Sequence, residues 1–269
     1  MTSAQYGQGL ARAAGGALLF SFPLLMTMEM WQLGFSIERE RLLLFLVLSL
    51  PMLLGLSYFV GFEPTFRLKD EVLDALAGFA VGFLVVLAIL WLFNVISAGD
   101  PPGEAVGKTA LAAIPAAMGA LLAGKQFAGG QRATREERAA KYLGHLFIML
   151  AGALFLAFNV APTEEMSLIA FMMTPLHALV LVTASIAILH LFVYRLGFPG
   201  EDLRRGASGP WRIFFAYTVV GYAIALLISA YSLWTFGRLD GAALYQQVMM
   251  TVVLAFPAAL GAATARLVV

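Results

Sequence analysis

An all-α, polytopic membrane fold follows from three features of this chain: long apolar runs, short loops between them, and a repeat of the first half in the second. Of 269 residues, 61% are hydrophobic and 12% charged, against about 45–50% and about 25% in soluble domains. Several runs reach the roughly 17–25 residues that cross a hydrocarbon core. Eight spans are expected, near residues 13–35, 42–62, 73–96, 106–124, 143–162, 166–194, 212–235 and 244–266.

Composition excludes much else. There is no cysteine, so disulfides, thiolate metal sites and cysteine nucleophiles are ruled out together. A net charge of +1 offers no broad basic surface for nucleic acid. No P-loop, H-E-x-x-H or G-x-S-x-G string occurs, so nucleotide-driven transport, zinc proteolysis and serine hydrolysis lack support and the chain is not expected to be an enzyme.

The first span follows Arg12 and runs on to Phe35 with no small-residue cleavage site, so it reads as an uncleaved span rather than a signal peptide. Charge then orients the set. With the N-terminus inside, Arg12, Arg67, Lys69, Lys125, Arg132, Arg135, Arg138, Lys141, Arg195, Arg204, Arg205, Arg212 and Arg266 are cytoplasmic, thirteen of the seventeen basic residues. Arg39, Arg41, Lys108 and Arg238 fall outside. This bias predicts that both termini are cytoplasmic. Trp31, Trp91 and Trp234 then fall near outer span ends and Trp211 near an inner one, as interfacial anchors do.

Residues 15–34 align without a gap to 151–170 with seven identities in twenty, among them Thr27 with Thr163, Glu29 with Glu165 and Met30 with Met166. Ala113–Ala123 matches Ala255–Ala265, including Pro115 with Pro257, and Val81-Gly82-Phe83 matches Val220-Gly221-Tyr222. The offset grows in order, 136, 139, 142, as one duplication followed by small insertions would leave it. The expected organisation is a first four-helix repeat at 1–124, a cytoplasmic linker at 125–142 and a second repeat at 143–269. An even number of spans per half makes the repeat parallel, with a pseudo-two-fold axis along the membrane normal.

Glu29 is the residue most suited to chemistry. In a continuous first span it lies about 10 Å below the outer interface at about 1.5 Å per residue, where a carboxylate is costly and usually functional. Gln32 and Ser36 follow at i+3 and i+7, a polar stripe toward the outer surface. Its equivalent, Glu165, belongs to Asn159-Val-Ala-Pro-Thr-Glu-Glu, where Pro162 disturbs the helix and frees carbonyls beside Glu164 and Glu165. Pro162, Thr163 and the two glutamates equally spell an ordinary acidic helix start. His177, behind Thr174-Pro175, is expected at similar depth; the methionines nearby read as packing residues. His145 and His190 lie toward inner span ends and suggest a competing haem or metal pair, but the second histidine pair of a cytochrome b is missing.

The strings T-M-E-M-W at Thr27–Trp31 and N-V-A-P-T-E-E at Asn159–Glu165 resemble a family of uncharacterised bacterial integral membrane proteins over nearly the full length. The resemblance implies a multi-pass protein of the bacterial inner membrane and assigns no activity. Function is therefore read from the carboxylates. The expectation is a cation channel or cation-coupled transporter whose pathway uses Glu29 and Glu165 facing each other across the pseudo-axis, with Glu164, Gln32, Asn159 and His177 around them. Any bound metal would be a cation held by Glu29 and Glu165; no resident cofactor is expected. The expected partners are the lipid bilayer and an inorganic cation or proton, with homo-oligomers left open. The competing readings are a redox or quinone-linked haem protein using His145 and His190, and a scaffold without catalysis.

Overall fold

The computed structural model describes residues 3–60, 68–125, 142–196, 211 and 214–268. Among them the secondary structure is all helical. The chain divides into two compact units, 1–132 and 133–269. Nearly all of the expected linker, residues 126–141, lies outside the described residues.

Unit 1 contains α1 (Ser3–Leu25), α2 (Met28–Ser36), α3 (Arg39–Val60), α4 (Leu68–Leu92) and α5 (Pro102–Lys125). Unit 2 contains α6 (Tyr142–Val160), α7 (Glu164–Met172), α8 (Pro175–Leu196), a π-helical turn (Phe214–Val219) running into α9 (Val220–Thr235), and α10 (Leu244–Val268). Each unit thus follows one order: a long helix, a nine-residue helix, then three long helices. Seven helices are long and apolar enough to cross a membrane, and α1 with α2 makes an eighth only if that bent pair is one span.

The expected first span, 13–35, is corrected here. It breaks at Met26–Thr27, and α2 leaves α1 at 87°. The expected sixth span, 166–194, also divides: α7 ends at Met172 and α8 starts afresh at Pro175. Both short segments passed for spans because their apolar residues join the neighbouring run without an interrupting charge cluster, so hydropathy carried no mark of the turn. A third shift extends the fourth helix, α4, back to Leu68, which brings Asp70 and Glu71 into it.

Small residues set the packing. In unit 1 the central helix is α5, buried almost throughout from Thr109 to Leu121, with Ala113, Ala116, Ala117 and Ala120 fully enclosed. Gly16 of α1 lies directly on Gly119 and Ala123 of α5, and Gly82 of α4 lies 2.6 Å from the Ala117 nitrogen by the position a Cβ would take. In unit 2, Gly152 of α6 lies in the same way on Gly261 and Ala265 of α10. Where lipid is as apolar as leucine, helix association relies on such close approach.

Candidate functional site

Each unit carries a helix break, and each break is the centre of its unit's candidate residues. At the first, the Thr27 N–H and hydroxyl both donate to the Leu24 carbonyl, at 3.4 and 3.2 Å. At the second, the Thr163 N–H and hydroxyl both donate to the Val160 carbonyl, at 3.0 and 2.8 Å. Each threonine has extended backbone and is the N-cap of the short helix that follows. The identity of Thr27 and Thr163 is thereby explained: one side chain satisfies a carbonyl that the long helix leaves open.

A further carbonyl near each break is met by a side chain, one residue past Leu24 in unit 1 and two past Val160 in unit 2. The Trp31 indole N–H reaches back from α2 to the Leu25 carbonyl at 3.0 Å. In unit 2 the Pro162 carbonyl accepts from the Arg238 guanidinium, supplied by the α9–α10 loop. Trp31, expected as an interfacial anchor, thus closes the break, while Trp91 and Trp234 remain exposed on their helices.

Glu29 and Glu165 occupy matching places, the second residue of α2 and of α7. Glu29 is half-buried; Glu164 and Glu165 are exposed. Carboxylates here oppose the partial positive charge of the helix start. Because α2 turns away from α1, the depth expected for Glu29 from a straight span does not apply, and the Glu29–Gln32–Ser36 stripe runs along α2, with Gln32 and Ser36 exposed.

His177 has a local role. The Thr174 N–H donates to its Nδ1 at 3.3 Å and the His177 N–H donates to the Thr174 hydroxyl at 3.4 Å, a reciprocal cap with Pro175 in the first turn of α8. Asn159 donates to the Phe155 carbonyl at 2.7 Å, while its Oδ1 is buried without a hydrogen-bond partner, as are Gln246 Oε1 and Arg238 Nε. Phe158 stacks edge-on with Phe236 at 5.8 Å, which brings Asn159 and the Arg238 loop to one end of unit 2. Buried groups of this kind are where ordered water or an ion is held.

Sequence reasoning missed several groups. Lys108 of α5 pairs with Glu104 at 2.6 Å and donates to the Val95 carbonyl at 3.0 Å, directly beneath Gly34 of α2. At the other end of unit 1, Glu71 is 5% exposed and accepts from the buried Ser57 hydroxyl at 2.8 Å. The expected span starts at 73, two residues past Glu71. His145 and His190 approach neighbouring residues of the π-helical turn: the His145 ring lies 5.8 Å from that of Tyr217, and His190 Nδ1 lies 2.9 Å from the Thr218 hydroxyl. Both imidazoles thus hold that turn against α6 and α8. Among the described residues no group of three or more His, Cys, Asp or Glu is arranged to hold a metal ion.

Formal charge separates the ends of each unit. The end carrying the break holds, in unit 1, Glu29, Glu38, Glu40, Asp100 and Glu104 against Arg39, Arg41 and Lys108, a net −2. In unit 2 it holds Glu164, Glu165 and Asp240 against Arg238, again −2.

Neither curated proteins nor solved structures gave a match to the chain. A family model does, over residues 9–269, and its description, integral membrane protein, agrees with a multi-pass chain in contact with lipid. With apolar helices of membrane length in both units and a match over nearly every residue, the chain belongs to the integral membrane protein family DUF2391.

Proposed function

We propose that this protein moves cations across the membrane, as a channel or a cation-coupled transporter, with the carboxylates Glu29 and Glu165 each serving the outer end of its own unit. One observation carries the reading: each unit places a net −2 at the end where a broken helix restarts with a glutamate in its first turn. Negative charge at a pore mouth concentrates cations, and broken helices are a recurrent way to offer oxygen ligands within a membrane protein. Supporting it, Asn159 Oδ1 and Gln246 Oε1 are buried acceptors beside the second break. The Arg238 guanidinium opposes a cation resting there, so Glu164 and Glu165 act in attraction, and the oxygen ligands act after it. As a transporter the protein makes or breaks no covalent bond and needs no resident cofactor.

The same reading takes the two units as one duplicated element. The Gly16–Gly119 and Gly152–Gly261 contacts sit at positions that the offsets 136 and 142 match. With the bent α1–α2 pair counted as one span, each unit has four, and thirteen of seventeen basic residues on one side support cytoplasmic termini and break ends facing outward, in the bacterial inner membrane that the resemblance implies.

The test is flux through purified protein in liposomes over a panel of cations. Glu29→Gln and Glu165→Gln are each expected to lower flux by roughly tenfold or more while the protein still folds, since glutamine keeps the shape and removes the charge. Glu164→Gln should do less. Wild-type liposomes that leak no cation, or unchanged flux in both principal variants, would end this reading.

A further inference from the structure

We infer that the enclosed face of α9 in unit 2 is the path of the transported ion, lined by neutral hydroxyl oxygens, and that this ion is a monovalent cation. The inference rests on the transport reading above and names its route and its substrate class.

The π-helical turn and α9 together bury Thr218, Tyr222, Ala225, Ser229, Ser232 and Thr235, at i, i+4, i+7, i+11, i+14 and i+17. Thr218, Ser229, Ser232 and Thr235 are 0% exposed and Tyr222 is 6% exposed. Five of the six positions thus carry a hydroxyl, on one helical stripe that runs the length of the span. α9 packs chiefly on α6 and α10, so the stripe lies inside unit 2. In unit 1 the 139 offset places Phe79, Phe83, Val86, Leu90, Phe93 and Ile96 at the same positions, all of them apolar. The common helix order therefore does not require these hydroxyls.

A hydroxyl within a helix commonly turns back to the carbonyl four residues earlier, as Ser21, Ser49, Ser185 and Ser232 do here. Ser229 does not. It is fully enclosed, and its Oγ has no hydrogen-bond partner, the Ala225 carbonyl included. A buried hydroxyl left in this way costs stability unless a ligand comes to it. Further oxygens and one imidazole flank the stripe: Thr218 is hydrogen-bonded to His190 Nδ1 at 2.9 Å, Ser185 of α8 stands beside Tyr222, and Tyr231 stands beside Thr235. At the outer end of the same unit, Asn159 Oδ1 and Gln246 Oε1 are buried acceptors.

Charge selects the ion. No Asp, Glu, Lys or Arg stands between Phe214 and Thr235. Neutral oxygens can replace the hydration shell of a singly charged ion, whereas a divalent ion is held by carboxylates. Arg238, three residues beyond Thr235, is engaged by the Pro162 carbonyl, and Glu164, Glu165 and Asp240 bring that end to −2, which favours a cation over an anion.

Because the chain has no cysteine, an introduced thiol is the only one present. Full-length Ser229→Cys and Ser232→Cys in liposomes are exposed to Ag+, a monovalent cation that binds thiolate; the protein is then denatured and the remaining thiol is alkylated and measured by mass. Val86→Cys, on the matching stripe of α4 and 0% exposed, is the comparator. Ala225→Cys, the counterpart of Val86→Cys on α9, reads access should either serine variant not fold. Ag+ is expected to block the α9 thiols roughly tenfold faster or more than the α4 thiol. Flux of Na+ or K+ should exceed that of Mg2+ or Ca2+ by roughly tenfold or more, and Ser229→Ala should lower the monovalent flux by roughly threefold or more at unchanged thermal stability. Blocking of the α9 thiols no faster than that of Val86→Cys, divalent flux equal to monovalent flux, or unchanged flux in Ser229→Ala overturns the inference. Cation flux without faster blocking on α9 would keep the transport reading alone; faster blocking on α9 in liposomes that pass no cation would keep cation access to α9 and end the transport reading.

Discussion

The two units solve one backbone problem with different side chains. In both, a long helix ends at a threonine that donates twice to the carbonyl three residues back, and a short helix restarts on a glutamate. The carbonyl left over is met by a local indole in unit 1 and by a guanidinium from a distant loop in unit 2. Beneath α2 lies the Glu104–Lys108 pair; the residues 142 further on are Gln246 and Met250, neutral and partly apolar. At the opposite ends, unit 1 buries Glu71 and unit 2 buries His145 beside a π-helical turn. Backbone geometry is therefore common to both units, while the titratable groups are private to each. That separation is what divergence after duplication would produce.

The largest effect should come from the shared close approach. A Cβ on Gly16 would strike the Gly119 carbonyl oxygen and Ala123 Cβ, and one on Gly152 would strike the Gly261 carbonyl oxygen and Ala265 Cβ. Backbone cannot yield as a flexible side chain does. Gly16→Ala and Gly152→Ala should each destabilise by about 1–3 kcal/mol or more, read as a loss of thermal stability in detergent. Gly15, with open space where its Cβ would go, is the control, and Gly15→Ala should gain up to about 1 kcal/mol. If Gly16→Ala and Gly152→Ala differ greatly, the units share a helix order without sharing its energetics.

A middle-sized effect separates the two breaks. Arg238→Leu leaves the Pro162 carbonyl without its charged donor and should cost about 1–3 kcal/mol, whereas Trp31→Phe loses a neutral donor and should cost about 0.5–1.5 kcal/mol. Denaturant unfolding of the two variants gives the comparison. Equal or reversed costs would mean that water replaces the guanidinium, and that the distant cap is dispensable.

Much of this was legible in the residues, and the rest was hidden for identifiable reasons. The apolar runs and the Gly16, Thr27, Glu29 and Gly119 correspondences were visible because duplication preserves what tight packing and turns require. The 87° break was hidden because neither Gly nor Pro stands at Met26–Thr27, and the indole and threonine that hold it read as an anchor and an ordinary polar residue. His177 looked like a titratable neighbour of the carboxylates. Yet Thr174-Pro175-Leu176-His177 also has the spacing of a reciprocal cap, with histidine where glutamate or glutamine is usual. Glu71 escaped because hydropathy places a helix start at the first apolar residue, while α4 begins a turn earlier with Glu71 already enclosed.

The smallest effect distinguishes the loops that close the break ends. In unit 1, Asp100 accepts from the Ser97 N–H at 2.8 Å and from its hydroxyl at 2.9 Å. The backbone bond first, the hydroxyl second and, more weakly, Lys108 hold its carboxyl below the ordinary value of 3.8 against a small opposing effect of desolvation. In unit 2 the corresponding work falls to Gln247, which donates to the Leu239 and Ala242 carbonyls at 3.3 and 3.0 Å and does not titrate. For Asp100 the folded value lies below the unfolded one, so its contribution is complete above the unfolded value and fades as pH falls through the folded one. The group lies at the surface in the turn between α4 and α5, so the expected change is local. Acidification below about pH 4 should loosen the Ser97–Asp100 turn while the Gln247 contacts persist. Carboxyl-detected NMR of the protein in micelles would follow Asp100 directly, and Asp100→Asn at neutral pH should weaken the same turn. An Asp100 midpoint at or above 3.8 would show that the Ser97 bonds do not favour the charged form, and this contrast between the loops would then disappear.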